Sequence, residues 1–289
     1  MKSGKLDSLR KRYHQRLCEE LIRIRQDKKK GDYPNFADGD SAINSKIAWG
    51  IANKICGRVP YGRISGQTAG KLFQAITKDY IASAFSLISH IRPGKWQYWV
   101  ETDIAKFEQY RDLAEVVSEL RNNEKLAAVF GQDYIVKPDI LISRQPIPDV
   151  EINRDQKLLL KDDSVASKTP LRAANYSKPW PILHASISCK WTLRSDRAQN
   201  IRTEAMNLIR NRKGHLPHVV AVTAEPLLTR IASLALGTGD LDCVYHFALD
   251  ELTDSVEESG DESQMDMLHT LVDGRRLRDI SDLIFDLAV

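Results

Sequence analysis

The sequence has few cysteines for its length, and they are far apart. Cys18, Cys56, Cys189 and Cys243 are the only four among 289 residues, and none of them forms a CxxC pair. Structural zinc sites and the disulfide frameworks of small secreted domains need cysteines that are closer or more numerous. We therefore expect reduced thiols, as in a cytoplasmic protein, rather than a zinc site or a disulfide framework.

Long apolar stretches are also missing. No run of about 18 apolar residues, the length that a membrane span requires, occurs in the chain. The first residues are charged and lack the apolar centre of a signal peptide, so neither a membrane span nor a secretion signal is expected. There is no internal repeat and no low-complexity segment.

The chain has little net charge. Its 42 basic and 39 acidic residues leave a net charge of only +3, so local clusters would have to attract any anionic partner. A hydrophobic content of 42% and a charged content of 28% are typical of an ordinary globular protein. The length suits one large domain or two small ones.

The hydrophobic periodicity predicts helices in the first half and alternating strands and helices in the second half. Predicted helices cover residues 6–26, 47–55, 71–90, 104–123, 197–212 and 226–236. Predicted strands cover residues 96–100, 140–142, 182–190, 218–223 and 243–249. Residues 144–180 are polar and predict a long surface excursion. This pattern predicts the α/β class with a mixed sheet.

Asp139 directly precedes one predicted strand. Pro138 cannot donate a ladder hydrogen bond, so it marks the start of the strand or a bulge. A carboxylate at the point where a strand enters the core needs a polar partner or a metal. Asp139 is therefore a candidate metal ligand, with a turn residue at a strand end as the alternative.

Lys190 ends another predicted strand and could act with Asp139 in phosphodiester hydrolysis. This reaction needs a metal, a carboxylate to hold the metal, and a cation to stabilise the transition state. Asp139 could supply the carboxylate and Lys190 the cation. The backbone carbonyl of Cys189 is a candidate second ligand for magnesium. If the two strands pair, both side chains meet at one edge of the sheet.

Arg194, Asp196 and Arg197, which we call the base-contacting cluster, follow Lys190 closely. Arginine can donate two hydrogen bonds to guanine O6 and N7, and aspartate can accept one from cytosine N4. The cluster therefore matches neighbouring C and G bases in a major groove. Alternatively, Asp196 could be a helix N-cap that forms a capping box with Gln199, and the arginines could be surface charges.

These residues resemble the motifs of the type II restriction endonucleases of the PD-(D/E)XK fold that share a central CCGG. The similar segments extend over most of the chain and are residues 66–68, 90–94, 138–139, 183–199, 210–214, 222–226 and 243–249. The resemblance implies one restriction endonuclease domain over residues 1–289, working in the bacterial cytoplasm. Its first 125 residues would be helical, and its catalytic core, a mixed sheet flanked by helices, would cover residues 130–250.

The resemblance also implies catalytic roles. Asp139 would bind two Mg²⁺ ions, and Lys190 would be the catalytic lysine. Ser188 would occupy the position that usually holds an acidic residue. Glu204, on the following helix, would be the displaced acidic residue.

Further residues would contact DNA bases according to the same resemblance. The base-contacting cluster would recognise the inner CCGG in the major groove. Gln67 would approach the bases from the minor groove. Arg230 and Asp38 would contact the outer base pair, with a helix-side charge and a turn aspartate as the alternatives.

Gln74 departs from the family pattern. The family has a glutamate after the phenylalanine of the long helix, where it supports the second metal, but here Phe73 is followed by Gln74. We expect Gln74 to lie off the buried stripe of this helix. An amide oxygen can bind magnesium but adds no charge, so the metal should bind more weakly there. The hypothesis is weak ligation with cutting retained, and the competing hypothesis is binding with slow cutting.

The sequence therefore predicts a Mg²⁺-dependent type II restriction endonuclease. The expected site is GCCGGC, cut before the first C to leave a four-base 5′ overhang. A palindrome requires at least a dimer, and the resemblance favours a tetramer. The alternatives are a DNA-binding protein without nuclease activity and a structural protein whose arginines are surface charges.

Overall fold

A six-stranded mixed sheet is the main β-structure of the protein. The computed structural model describes residues 3–125, 128, 136–237 and 239–289. The strands in these residues are β1 Ile24–Asp27, β2 Gly31–Pro34, β3 Trp96–Val100, β4 Ile140–Arg144, β5 Ile182–Lys190, β6 His218–Thr223, β7 Cys243–His246 and β8 Leu277–Asp279. The sheet order is β3-β4-β5-β6-β7-β8, and β1 and β2 form a separate hairpin.

Both strand orientations occur in the sheet. β3 and β4 are antiparallel, whereas β6, β7 and β8 run parallel. Helices flank the sheet, which confirms the predicted α/β class with a central mixed sheet. The predicted bounds of β3, β5 and β6 are also confirmed.

Ten α-helices occur in the described residues. They are α1 Lys5–Glu20, α2 Ala42–Ile55, α3 Gly66–Leu87, α4 Leu113–Asn122, α5 Asp149–Ile152, α6 Ser195–Asn211, α7 Leu228–Ala235, α8 Leu249–Ser259, α9 Glu262–Asp273 and α10 Leu283–Asp286. None of the described helices is long and apolar enough to cross a membrane.

The chain divides into two units. The first comprises residues 1–92, 187–205 and 219–289. Within it, α1 packs against α3, α2 against α8, and α7 against α9. A Cβ atom at Gly50 would lie 2.6 Å from the Cβ of Ser255, so glycine permits the close approach of α2 and α8.

The second unit comprises residues 93–186 and 206–218. Its apolar centre includes Phe107, Tyr110 and Leu141, all of which are buried. The Gln109 side chain donates to the backbone carbonyl of Leu183 at 2.6 Å and accepts from its N–H at 2.9 Å. This amide therefore fixes the first half of β5.

Two helix predictions were wrong in extent. The first helix was predicted to reach residue 26, but α1 ends at Glu20, and Ile24–Asp27 pairs with Gly31–Pro34. The apolar spacing of Ile24 fits both a helix and a hairpin, and Gly31, at φ 77°, permits the turn. The helix predicted at 104–123 is two 3₁₀ turns followed by α4, because the backbone is extended at Phe107.

The expectation of reduced thiols is wrong for Cys18 and Cys56, which form a disulfide. Their Cα atoms lie 5.6 Å apart, within the range that a disulfide can span. The bridge joins α1 to the residue that follows α2. The fold brings together two cysteines that are 38 residues apart in sequence, which spacing alone could not show. Cys189 and Cys243 are buried free thiols.

Removal of this disulfide should lower the free energy of unfolding. For the Cys18→Ala/Cys56→Ala variant we expect a loss of about 2–4 kcal/mol, because the bridge restricts the unfolded chain. Urea unfolding with and without dithiothreitol measures the effect, and the reductant should not change the midpoint of the double variant. Equal midpoints for oxidised and reduced wild-type protein would contradict the prediction.

Candidate functional site

The end of β5 places two candidate catalytic side chains on one face of the sheet. Ser188 and Lys190 are two residues apart and therefore point to the same side, while Cys189 points to the other. Ser188 and Cys189 are buried, and Lys190 is partly exposed. The Lys190 carbonyl accepts a hydrogen bond from Thr223 Oγ1 at 2.9 Å, which fixes the end of β5 to the end of β6.

The side chains of Glu204 and Ser188 form a hydrogen bond within the first unit. The Ser188 hydroxyl donates to Glu204 Oε2 at 3.2 Å, although the two residues belong to a strand and to the following helix. The apolar side of α6, including Ile201 and Ala205, is buried, and Glu204 is half-buried beside it. The structure therefore brings together two residues to which only the family resemblance assigned roles.

Gln74 is buried, contrary to the expectation that it lies off the apolar stripe. It is 6% exposed and follows the fully buried Phe73 in α3. Gln67 lies two helical turns earlier, in the exposed first turn. Ser65 caps this turn, since its Oγ accepts from Thr68 N at 3.1 Å. The helix therefore extends from an exposed amide to a buried one.

Asp139 belongs to the second unit and directly precedes β4. Its side chain is half-buried, and its backbone carbonyl accepts from Glu101 N at 3.3 Å. This position at the start of a strand is the predicted one. Its role as a metal ligand remains a prediction.

The base-contacting cluster lies at the start of α6. Arg194 and Asp196 are exposed, and Ala198 N donates to the Arg194 carbonyl at 3.0 Å. Asp196 is the second residue of α6, so the alternative that made it the N-cap is wrong. Arg197 donates to the Thr192 carbonyl and hydroxyl at 3.0 and 2.7 Å, which holds its side chain against the preceding loop.

Asp38 and Arg230, predicted separately, form an ion pair that we call the outer pair. Arg230 Nη2 lies 2.5 Å from Asp38 Oδ2, and both side chains are about one-third exposed or less. The Arg230 guanidinium holds the pKa of Asp38 below its ordinary value, and the charge of Arg194 adds to this effect. The outer pair therefore presents a donor and an acceptor side by side.

Sequence reasoning missed Glu225, which is fully buried next to the outer pair. Its Oε2 accepts from Leu193 N at 2.8 Å, and its Oε1 accepts from Asn44 Nδ2 at 3.1 Å. Burial raises the pKa of Glu225, while these donors and Arg230 oppose the shift. The available sequence signal was a carboxylate just after a buried strand, followed by Pro226.

The oxygen ligands are those that a hard divalent cation prefers. Glu204 and Asp139 offer carboxylates, and Ser188 offers a hydroxyl group. Among the described residues there is no group of three or more His, Cys, Asp or Glu side chains placed to hold a metal. Magnesium commonly uses only one or two protein carboxylates, together with water and substrate phosphate, so Ser188 and Glu204 in the first unit and Asp139 in the second unit are each a ligand type that suits it.

Two sequence comparisons match the chain to one enzyme family. The sequence model of the NgoMIV restriction enzyme family matches residues 13–289. The type II restriction enzyme NgoMIV of Neisseria gonorrhoeae is 48% identical over 258 residues, which cover 88% of this chain and 89% of that protein. The crystal structure of the type IIF restriction endonuclease Bse634I with cognate DNA matches with a TM-score of 0.34 and 11% sequence identity. The match covers 94% of this chain and 99% of that chain.

The protein is a type II restriction endonuclease, an enzyme that cuts DNA at specific sites. The chain belongs to the NgoMIV restriction enzyme family, which confirms the resemblance found in the sequence. DNA is therefore its partner, and enzymes of this kind generally use a divalent metal.

Proposed function

We propose that the enzyme makes Mg²⁺-dependent double-strand cuts at GCCGGC, before the first C, and leaves a four-base 5′ overhang. One arrangement in the first unit carries the proposal. The hydrogen-bonded Ser188 and Glu204 lie beside the strand end that bears Lys190, and the same segment continues into the base-contacting cluster. A group that can act on a phosphodiester is thus joined directly to groups that can contact bases.

Each proposed catalytic residue has a different role. The Lys190 ammonium stabilises the charge that develops on the phosphate in the transition state. Asp139 and the Cys189 carbonyl are the proposed metal ligands, and Glu204 is the displaced acidic residue that the family resemblance implies. Ser188 orients the Glu204 carboxylate through its hydrogen bond. When bound, Mg²⁺ would supply a positive charge that can polarise a phosphoryl oxygen and acidify a water molecule.

The outer pair favours a G·C base pair at each end of the site. Arginine donates to guanine and aspartate accepts from cytosine, so one Arg–Asp pair can contact both members of this base pair. The base-contacting cluster supplies the same two kinds of group, arginine donors and an aspartate acceptor, for the inner CCGG. Gln67 would contact the minor groove. Together these residues specify GCCGGC.

The assembly follows from the symmetry of the site. A palindrome needs two copies of the protein related by a two-fold axis, so the active form is at least a dimer. We propose a tetramer of two dimers that acts in the bacterial cytoplasm. Each subunit would be one restriction endonuclease domain over residues 1–289.

A plasmid with two GCCGGC sites tests the proposal. With Mg²⁺ we expect discrete fragments whose ends map before the first C, and a plasmid with ACCGGT in place of both sites should stay intact. Without Mg²⁺ neither plasmid should be cut. An intact GCCGGC plasmid with no site-specific gel shift would refute the proposal.

Gln74 favours a second candidate function, a site-specific DNA-binding protein that cuts weakly. We propose that two Mg²⁺ ions bind per active site and that Gln74 supports the second one without adding charge. An intact plasmid together with a specific gel shift would favour this second candidate.

Gln74→Glu should lower the Mg²⁺ concentration needed for half-maximal cutting, by about tenfold, because a carboxylate adds a negative charge to the site. A Mg²⁺ titration of the cutting rate measures the change. Gln264→Glu is the matched control, because Gln264 is equally buried and its side-chain oxygen accepts from Leu228 N at 2.8 Å. Unchanged Mg²⁺ dependence in Gln74→Glu would contradict a role for this position.

A further inference from the structure

Glu225 lies where three segments of the first unit meet. These are the loop before α6, the start of α2 and the start of α7. Its side chain is completely buried, and an isolated carboxylate in such a place is very unfavourable. The hydrogen-bond donors around Glu225 therefore stabilise its buried carboxylate. Each donor belongs to a segment that carries candidate base contacts.

One carboxylate oxygen fixes the approach to the base-contacting cluster. Glu225 Oε2 accepts from Leu193 N at 2.8 Å, and Leu193 is buried. The next residue is the exposed Arg194. Hydrogen bonds to a charged acceptor are stronger than neutral ones, so the backbone that presents Arg194 is held at one point.

The other carboxylate oxygen fixes both members of the outer pair. Glu225 Oε1 lies 3.6 Å from Arg230 Nη1 and accepts from Asn44 Nδ2 at 3.1 Å. The Asn44 side-chain oxygen accepts in turn from Asp38 N at 2.9 Å. Asn44 is fully buried, so this bridge is shielded from water.

The backbone of Glu225 is tied to the strand end that bears Lys190. Glu225 N donates to Thr223 Oγ1 at 3.1 Å, and this hydroxyl donates to the Lys190 carbonyl at 2.9 Å. Through its side chain and its backbone, Glu225 therefore connects the base-contacting cluster, the outer pair and the strand end that bears Lys190.

We infer that Glu225 is a positioning residue that holds the base-contacting cluster and the outer pair in one geometry, and thereby sets discrimination at the outer base pair. The inference rests on the proposed function. Glu225 contacts no base itself and acts through Leu193, Arg230 and Asn44. Glutamine has nearly the same shape but replaces one acceptor oxygen with a donor, so Glu225→Gln leaves at least one of these partners without its acceptor.

The ratio of kcat/KM for GCCGGC to kcat/KM for ACCGGT, measured on short duplexes, tests the inference. In Glu225→Gln we expect this ratio to fall by about tenfold, which is the usual size of a single base-pair preference. Asn44→Ala should lower the ratio in the same direction, because the Asp38 backbone loses its anchor. Thermal melting establishes that each variant is folded.

Asp279→Asn is the matched control for a general loss of stability. Asp279 is also a buried carboxylate in the first unit, and it accepts from the backbone N–H groups of Leu249 and Ser281 and from Arg10. The control should lower Tm but leave the ratio of the two duplexes unchanged. If Glu225 had a purely structural role, Glu225→Gln would likewise lower Tm and leave the ratio of the two duplexes unchanged.

An unchanged ratio in folded Glu225→Gln, or an equal fall in Asp279→Asn, would overturn the inference. If Glu225→Gln does not fold, an unchanged ratio in Asn44→Ala overturns it. The wild-type protein tests the proposed function separately. If it shows no preference for GCCGGC, the proposed function fails before any variant is compared.

Discussion

Lys190→Ala should abolish DNA cutting while specific DNA binding persists. The loss of one group that stabilises charge in a transition state typically costs a factor of about 10²–10³ in rate. The Lys190 carbonyl is held by Thr223 and Ala224, so the change removes the ammonium group without releasing the strand end. Single-turnover cutting and gel-shift assays on the same GCCGGC duplex measure the two effects.

Lys54→Ala provides a matched control for this prediction. Lys54 is a partly buried lysine in the same unit, and its ammonium group pairs with Glu258 at 2.7 Å. This variant should cut at close to the wild-type rate. If Lys190→Ala cuts within tenfold of the wild-type protein, Lys190 is not the catalytic cation.

Local patterns were sufficient to predict the strands around the site. The bounds of β5 and β6 follow from apolar runs that end at polar residues, and Lys190 was placed correctly at a strand end. These features depend on residues that are close in sequence. Ile24 shows the limit of such patterns, since its spacing suits a continued helix as well as the hairpin strand that forms.

Contacts between distant residues could not be predicted from local patterns. Asp38 and Arg230 are separated by 192 residues, and each alone suggested only a turn aspartate and a helix-side charge. The disulfide and the bond between Ser188 and Glu204 likewise depend on how the elements pack. Glu225 was missed because its partners come from three separate segments.

Arg194→Ala should abolish specific DNA binding but retain most non-specific binding. A bidentate contact from arginine to guanine contributes about 1–3 kcal/mol of discrimination. A symmetric dimer loses this contact in both half-sites, so we expect a total loss of about 2–6 kcal/mol. Non-specific binding depends mainly on phosphate contacts and should change little.

Competition binding at fixed salt concentration measures this loss, with GCCGGC and an unrelated duplex as the two competitors. The Lys190→Ala background keeps the DNA intact in the presence of Mg²⁺. Arg16→Ala is the control for the loss of one positive charge, because Arg16 is partly exposed on α1 and pairs with Glu20. Since Leu193 N is anchored on Glu225, Arg194→Ala should not disturb the fold. Equal preference for GCCGGC in Arg194→Ala and in Arg16→Ala would mean that Arg194 is a surface charge rather than a base contact.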